Sequence, residues 1–278
     1  MLTPRSRSVS IFLFDGKFMQ LSEIINIIEK TAPLPAAAEW DKSGIQVAAR
    51  RQEVKHLAVM LDPSLRSVSW ALEMGADFLL AHHPLTMRPR FTDSLGSYHD
   101  ILSLLFRHDV SLYSAHTSLD ANPKGPVSWL AGKLGLENCA LLEPTAALDG
   151  AAFGFGFVGD MPQEESYASF CARLASALEI GKWRACGPKP ARVRSVACCP
   201  GSGGDMADLA EAAGADVYIT GDVKYHAALD TGIRLLDVGH FQLEEIMMRL
   251  FAAQLAEQMP ELKVSFLPGS DPLVFEEI

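Results

Sequence analysis

A strand–helix–strand unit occurs twice in this chain, and that repetition restricts the fold more than any other feature. The first copy reads HLAVMLD (56–62), then a helical PSLRSVSWALEMG, then ADFLLA (76–81). The second reads VRSVACCPG (193–201), DMADLAEAAG and ADVYITG (215–221). Setting Gly75 against Gly214 gives an offset of 139 (214 − 75). Without any gap, Val54 then meets Val193, Ala58 meets Ala197, Ala76-Asp77 meet Ala215-Asp216, and His82-His83 meet Gly221-Asp222. Two βαβ units share part of such a pattern by physics alone, because glycine readily ends a helix. The ungapped run goes further, and it predicts an α/β chain of two related α/β domains from an internal duplication.

A second correspondence follows each copy. VSLYSAHTSLD (110–120) and RLLDVGHFQLE (234–244) each run from an apolar strand into His-x-x-x-carboxylate, His116 with Asp120 and His240 with Glu244. Here the offset is 124 (240 − 116), so the second half is shorter. Four apolar strands thus end in polar groups: His82-His83, His116 with Asp120, Asp222 through His226, and His240 with Glu244. In open, largely parallel sheets, ligands gather beyond the carboxyl ends of the strands. A lone histidine at a strand end is more often capped or solvated than ligating. Several such tips together predict a common site.

Imidazoles and carboxylates suit Zn²⁺, Mn²⁺ or Fe²⁺. His82, His83, Asp120, His240 and Glu244 are too many ligands for one open ion. They suit two divalent ions bridged by a carboxylate and water, about 3.5–4 Å apart. The five cysteines contain no C-x-x-C pair, which argues against a thiolate site or disulfide framework and suits a reducing cytoplasm. The net charge of −10 argues against nucleic acid as a partner. The apolar run IFLF (11–14) is too short for a membrane span or a signal-peptide core.

The expected organisation is an N-terminal extension (1–18), a first α/β half (19–124), a middle segment (125–190) and a second α/β half (191–278). A helix is expected in FMQLSEIINIIEKTAP, with Met19 a candidate start of the fold. The middle segment carries no histidine and reads as packing or assembly material. It has a helical PVSWLAGKLGLEN, a Gly-rich strand AAFGFGFVG and a helical EESYASFCARLASAL.

GDVKYH (221–226) offers Asp222 as a hydrogen-bonding support, with Lys224 and His226 as a cation and an acid/base at the mouth of a site; the competing reading is a polar turn that opens a helix. PGSGGD (200–205) lacks the P-loop and G-x-G-x-x-G spacings, so a tight turn is favoured over a phosphate cradle. Trp40-Asp41 could flank the pocket, although tryptophan is more often core. Cys198-Cys199 lie within a strand on opposite faces and read as packing residues. His56, His99 and His108 fall outside these patterns.

WDKSGIQV, AHHPL, SAHTSLD, TGDVKYH and DVGHFQLE, in this order, resemble the motifs of the Nif-three-like dinuclear-metal-centre proteins, also labelled GTP cyclohydrolase I type 2 homologues. The resemblance covers residues 19–275 and is to the short form, without a large inserted domain. It implies two related α/β domains with a metal pair between them and a homohexameric ring whose sites face the interior. It implies His82, His83, Asp120, His240 and Glu244 as metal ligands, with Glu244 and Asp120 bridging or shared. His116 would stand beside the metals, supporting them or acting in catalysis. Lys224 and His226 occupy the GD-x-KYH motif. Ser118 and Phe241-Gln242 depart from the usual residues without removing a ligand. The reaction expected first is metal-dependent hydrolysis of a nucleotide or other small molecule, GTP ring opening being one version. A metal-binding regulatory or delivery module is the alternative, and purely structural histidines are a third.

Overall fold

The computed structural model describes residues 17–274 and 276; sixteen residues of the expected N-terminal extension lie outside them. In chain order the first elements are β1 (Met19–Gln20), α1 (Leu21–Thr31), β2 (Gly44–Val47), β3 (Glu53–Val54), β4 (His56–Met60), α2 (Leu65–Glu73), β5 (Phe78–Ala81), α3 (Ser97–His108), β6 (Ser111–Ser114) and α4 (Thr117–Asp120). The middle contributes α5 (Trp129–Leu134), β7 (Glu137–Leu148), β8 (Ala151–Ser166), α6 (Tyr167–Leu178) and β9 (Arg184–Cys186). The chain continues through β10 (Arg192–Cys198), α7 (Ala207–Ala212), β11 (Val217–Thr220), α8 (Tyr225–Asp230), β12 (Arg234–Asp237), α9 (His240–Gln258) and β13 (Lys263–Phe266).

One sheet has the order β13-β4-β5-β6-β2, the other β7-β8-β10-β11-β12-β9. Each contains three neighbouring parallel strands, β4-β5-β6 and β10-β11-β12. In each, an earlier strand returns antiparallel to the third, β2 on β6 and β9 on β12. Four strands therefore match, β4-β5-β6-β2 with β10-β11-β12-β9, and the opposite flanks differ. The middle segment contributes strands to the second sheet. Its hairpin β7–β8 extends the second sheet, with β8 antiparallel to β10. β13 crosses back and pairs parallel with β4, so the last strand completes the first sheet.

Alternation along the strands explains the layers, because successive side chains point to opposite faces. In β4, Leu57 and Val59 face α1 and α9, whereas Ala58 and Met60 face α2 and α3. In β10, Val196 and Cys198 face α6, and Ala197 with Cys199 beyond it face α7, as the sequence reading expected for the cysteine pair. α1 is amphipathic, with Leu21, Ile24 and Ile28 buried. It is opened by a Gln20/Glu23 capping box and ends short of Pro33.

α9 ties the two cores together. Leu243 packs into the second sheet's core, and Met247, Met248, Phe251 and Leu255 pack into the first. The Trp129 indole donates to the Leu243 carbonyl at 3.1 Å, pinning the first turns of the helix. That places the N-terminus of α9 where the two sheets meet.

Candidate metal centre

The carboxyl ends of the central parallel strands of both sheets supply the site. His82 and His83 follow β5, His116 follows β6 and precedes α4, and Asp120 closes α4. His240 is the first residue of α9, and Glu244 stands one turn later on the same face. Gly239, at φ 90°, makes the sharp entry from β12 into α9.

Every one of the four histidines has its Nδ1 against an oxygen acceptor, one a backbone carbonyl and three carboxylates. His82 Nδ1 is 2.8 Å from the Ala115 carbonyl. His83, His116 and His240 Nδ1 each stand 2.7 Å from a carboxylate: Asp62, Asp41 and Asp222 respectively. Each Nδ1 is therefore the donor, so in the neutral ring Nε2 carries the lone pair. The Nε2 atoms of His83 and His240 converge to 3.2 Å. Glu244 Oε2 lies 2.8 Å from His240 Nε2 and 3.1 Å from His83 Nε2, and Glu244 Oε1 lies 3.5 Å from His82 Nε2. Asp120 Oδ1 is 3.6 Å from His82 Nε2. Yet His82 Nε2, Asp120 Oδ1 and Glu244 Oε2 are buried without a well-aligned hydrogen bond. Buried polar atoms at such distances and unsatisfied demand a partner, and a cation is the partner these lone pairs fit.

Three overlapping triads can hold a metal: His83–His240–Glu244, His82–Asp120–Glu244 and His82–His83–His116, each with its ligand atoms within 4.8 Å of one another. Glu244 belongs to two of them. Charge leads to the same conclusion. Among the described residues, the ion pairs made by Asp41, Asp62, Asp120, Asp222 and Glu244 are all with histidine. Five carboxylates with neutral imidazoles leave an excess of negative charge, which protons or metal ions must offset.

The titration shifts follow from this balance. Burial works to lower the His83 imidazole, but Asp62 and Glu244 outweigh it and raise it to about 10. His240 is likewise opposed by burial and raised by Glu244 and Asp222 to about 9. Burial pushes Asp120 up to about 7, with His82 opposing. Burial would raise Glu244, but His82, His240 and His83 hold it well below the usual range. Asp41 is also low, because hydrogen bonds from His116, Ser43 and Thr117 override its burial.

Glycines close the back of the site. A Cβ on Gly201 would stand 2.3 Å from Glu244 Oε1 and 3.7 Å from His240 Nε2. The Gly-rich turn therefore does more than reverse the chain: its first glycine leaves room for the carboxylate. The rest of the turn is tied down by Tyr218, whose hydroxyl donates to Gly203 O, and by Thr220 Oγ1, which accepts from Gly203 N.

Of the residues read from the sequence, His82, His83, His116, Asp120, His240 and Glu244 all enter the triads. Lys224 and His226 do not. Lys224 caps α8, a helix with no buried residue, and pairs with Asp205 at 3.0 Å; His226 is exposed on that helix beside Tyr225. Trp40 is not core: it is 61% exposed, edge-on to His116 with ring centroids 6.0 Å apart. Asp62 and Gly201 were not anticipated as parts of the site.

The family model Duf34/NIF3 (NGG1p interacting factor 3) matches residues 19–272. The chain belongs to the Duf34/NIF3 family. It is 33% identical over 231 residues to a GTP cyclohydrolase 1 type 2 homolog of Clostridium perfringens, covering 81% of this chain and 87% of that protein. It is 32% identical over 245 residues to the homolog of Streptomyces coelicolor, 86% of each. Among solved structures, the Bacillus cereus protein related to NIF3 superposes with a TM-score of 0.84 at 25% identity, covering 94% of this chain and 100% of that one. Reduced HcgD from Methanocaldococcus jannaschii gives 0.78 at 30% identity, covering 90% and 98%. The Duf34/NIF3 fold is thus shared along nearly the whole chain. Among the described residues, no helix is long and apolar enough to cross a membrane.

Proposed function

We propose that this protein holds two divalent cations and uses them to hydrolyse a small molecule, a nucleotide being the first candidate. The observation that carries the proposal is Glu244, shared by two ligand triads while four histidines turn Nε2 away from their Nδ1 acceptors. His83, His240 and Glu244 would hold one ion, and His82, Asp120 and Glu244 the other. A divalent pair of this kind lowers the pKa of bound water and polarises a substrate oxygen.

The chain's own groups do the rest. Asp62, Asp222 and Asp41 fix the tautomer and orientation of His83, His240 and His116. His116 is the residue that moves the proton, its Nδ1 committed to Asp41 and its ring 5.2 Å from that of His82. Lys224 and His226 stand outside the triads and take no part in this scheme. The names of the GTP cyclohydrolase 1 type 2 homologs support a nucleotide. A cytoplasmic homohexameric ring is part of the same reading, supported by the family resemblance.

Metal analysis of protein purified without chelator is expected to return two ions per chain. Sizing of the same sample is expected to give about 180 kDa, six times the 30.2 kDa chain. Loaded protein screened against GTP, phosphoesters and lactams is expected to turn over at least one class, with the activity lost in chelator. Exchangeable metal without turnover on any of them would favour a metal-delivery or regulatory module instead.

The imidazoles give this reading a pH signature. In the metal-free protein His83 and His240 are raised from 6.5 to about 10 and about 9. Their protonated forms contribute stability that is fully present below pH 6.5 and lost as pH rises through 9 and 10. Loading runs the other way, because each ion displaces a proton. Calorimetric titration of metal into stripped protein at pH 7, in buffers of differing ionisation enthalpy, is expected to read about two protons released per chain. Affinity should rise with pH over the same interval.

A further inference from the structure

The metal centre opens on two sides, and the sides differ in charge. Leu61, Asp62, His83 and Pro272 border both a cleft of about 440 Å³ and another of about 570 Å³. In the smaller cleft, Arg184 is paired with Asp237, and Asp222 is taken up by His240. Its lining also carries Lys182 and Asp271, so it holds four carboxylates (Asp62, Asp222, Asp237 and Asp271) against Lys182 and Arg184, and its aromatic rings are Trp183 and Phe241.

The larger cleft is lined by Arg66 and Arg90, and its single carboxylate among the described residues, Asp62, is bonded to His83. Neither arginine makes an ion pair among the described residues. Arg66 is exposed in the first turn of α2, and the Arg90 guanidinium is laid over the Tyr98 ring at 4.9 Å, which presents it to the cleft without neutralising it. In a chain of net charge −10, two arginines facing one cleft without carboxylate partners form a local reversal of sign. Guanidinium groups in that state suit a phosphate, which accepts from them in bidentate fashion.

We propose that the substrate is an elongated organic phosphate that spans both clefts, its phosphate between Arg66 and Arg90 and its flat apolar end against Trp183 and Phe241. The atoms joining the two ends then lie over His83, beside the metal ligands. This rests on the hydrolase reading and adds an orientation to it: the anionic end enters from the α2–α3 side.

Calorimetry on the metal-loaded full chain tests it, with adenosine 5′-monophosphate, adenosine and inorganic phosphate as probes. The monophosphate is expected to bind at least about tenfold more tightly than adenosine. The double variant R66A/R90A should bring the monophosphate down to the adenosine level, while adenosine binding and metal content stay unchanged. W183A should weaken both nucleoside probes and leave inorganic phosphate unaffected. If R66A/R90A keeps the tenfold preference, the phosphate is held at the metals and the orientation is wrong, although the hydrolase reading survives. If the unmodified protein holds no metal, the hydrolase reading itself fails. Both arginines are exposed, so their replacement leaves the core intact.

Discussion

Glu244→Ala is expected to weaken the binding of both cations, not one, by roughly a hundredfold or more. The carboxylate belongs to two triads at once, with Oε2 facing His83 and His240 and Oε1 facing His82. Structural zinc binding by four ligands is worth about 10–16 kcal/mol, so one ligand accounts for roughly 3 kcal/mol, more than a hundredfold in affinity. Here the loss falls on both ions. The variant also leaves His82 Nε2 and Asp120 Oδ1, already without a hydrogen bond, facing an empty space. Glu244→Gln keeps the shape and one acceptor oxygen but removes the charge, so its affinity should lie between the two. His226→Ala serves as the control, since that ring is exposed and outside the triads. Metal content after dialysis, together with competition against a chromophoric chelator, reads all three. Retention of one tightly held ion in Glu244→Ala would show that the carboxylate does not join the two positions.

Much of this arrangement could be read from strand tips alone. β4, β5, β6, β11 and β12 are short, largely apolar runs bounded by polar residues, β10 is apolar in its last three residues, and this pattern is visible without any tertiary knowledge. The six side chains of the triads stand in three motifs whose chemistry is local, so they were visible too. What stayed hidden depends on how distant loops approach one another. β7 escaped because it is an edge strand with mostly exposed residues and a proline at 144, which blurs the alternation. The turn that joins it to β8 did carry a signal, Asp149-Gly150, both with positive φ. The short helix α5 also ends earlier than its periodicity suggested, at Gly135 in the left-handed region, and Glu137 begins a strand. Asp62 was missed because an acid after a strand is ordinary until a histidine is seen beside it. The offset of 139 held the clue: it sets Asp62 against Gly201, and His83 against Asp222. At one pair of positions the first half carries the acid and the second the glycine that makes room. At the other, the first half supplies the ligand and the second the carboxylate that orients His240.

That exchange of roles makes Gly201→Ala the second large effect. Two separate costs meet at this position. The backbone sits at φ +71°, where an alanine costs about 1–2 kcal/mol. The new methyl would also lie 2.3 Å from Glu244 Oε1, well inside van der Waals contact. A flexible surface glutamate would swing away, but Glu244 is buried and fixed on α9 by the packing of Leu243 and Met247 around it. The carboxylate must therefore leave the position at which the two triads share it. Gly214 separates the two costs, because its φ is +76° and a methyl there meets nothing within 4 Å. Gly214→Ala should lower the melting temperature by about 2–4 °C per kcal/mol of backbone strain and leave metal affinity untouched. Gly201→Ala should show the same strain and, in addition, a loss of metal affinity of about a hundredfold, in line with the removal of one ligand. In chelator the two variants should differ less, since the displaced carboxylate then holds no cation. Equal metal affinity in both would mean that Glu244 is free to move, and the shared position inferred for it would be wrong.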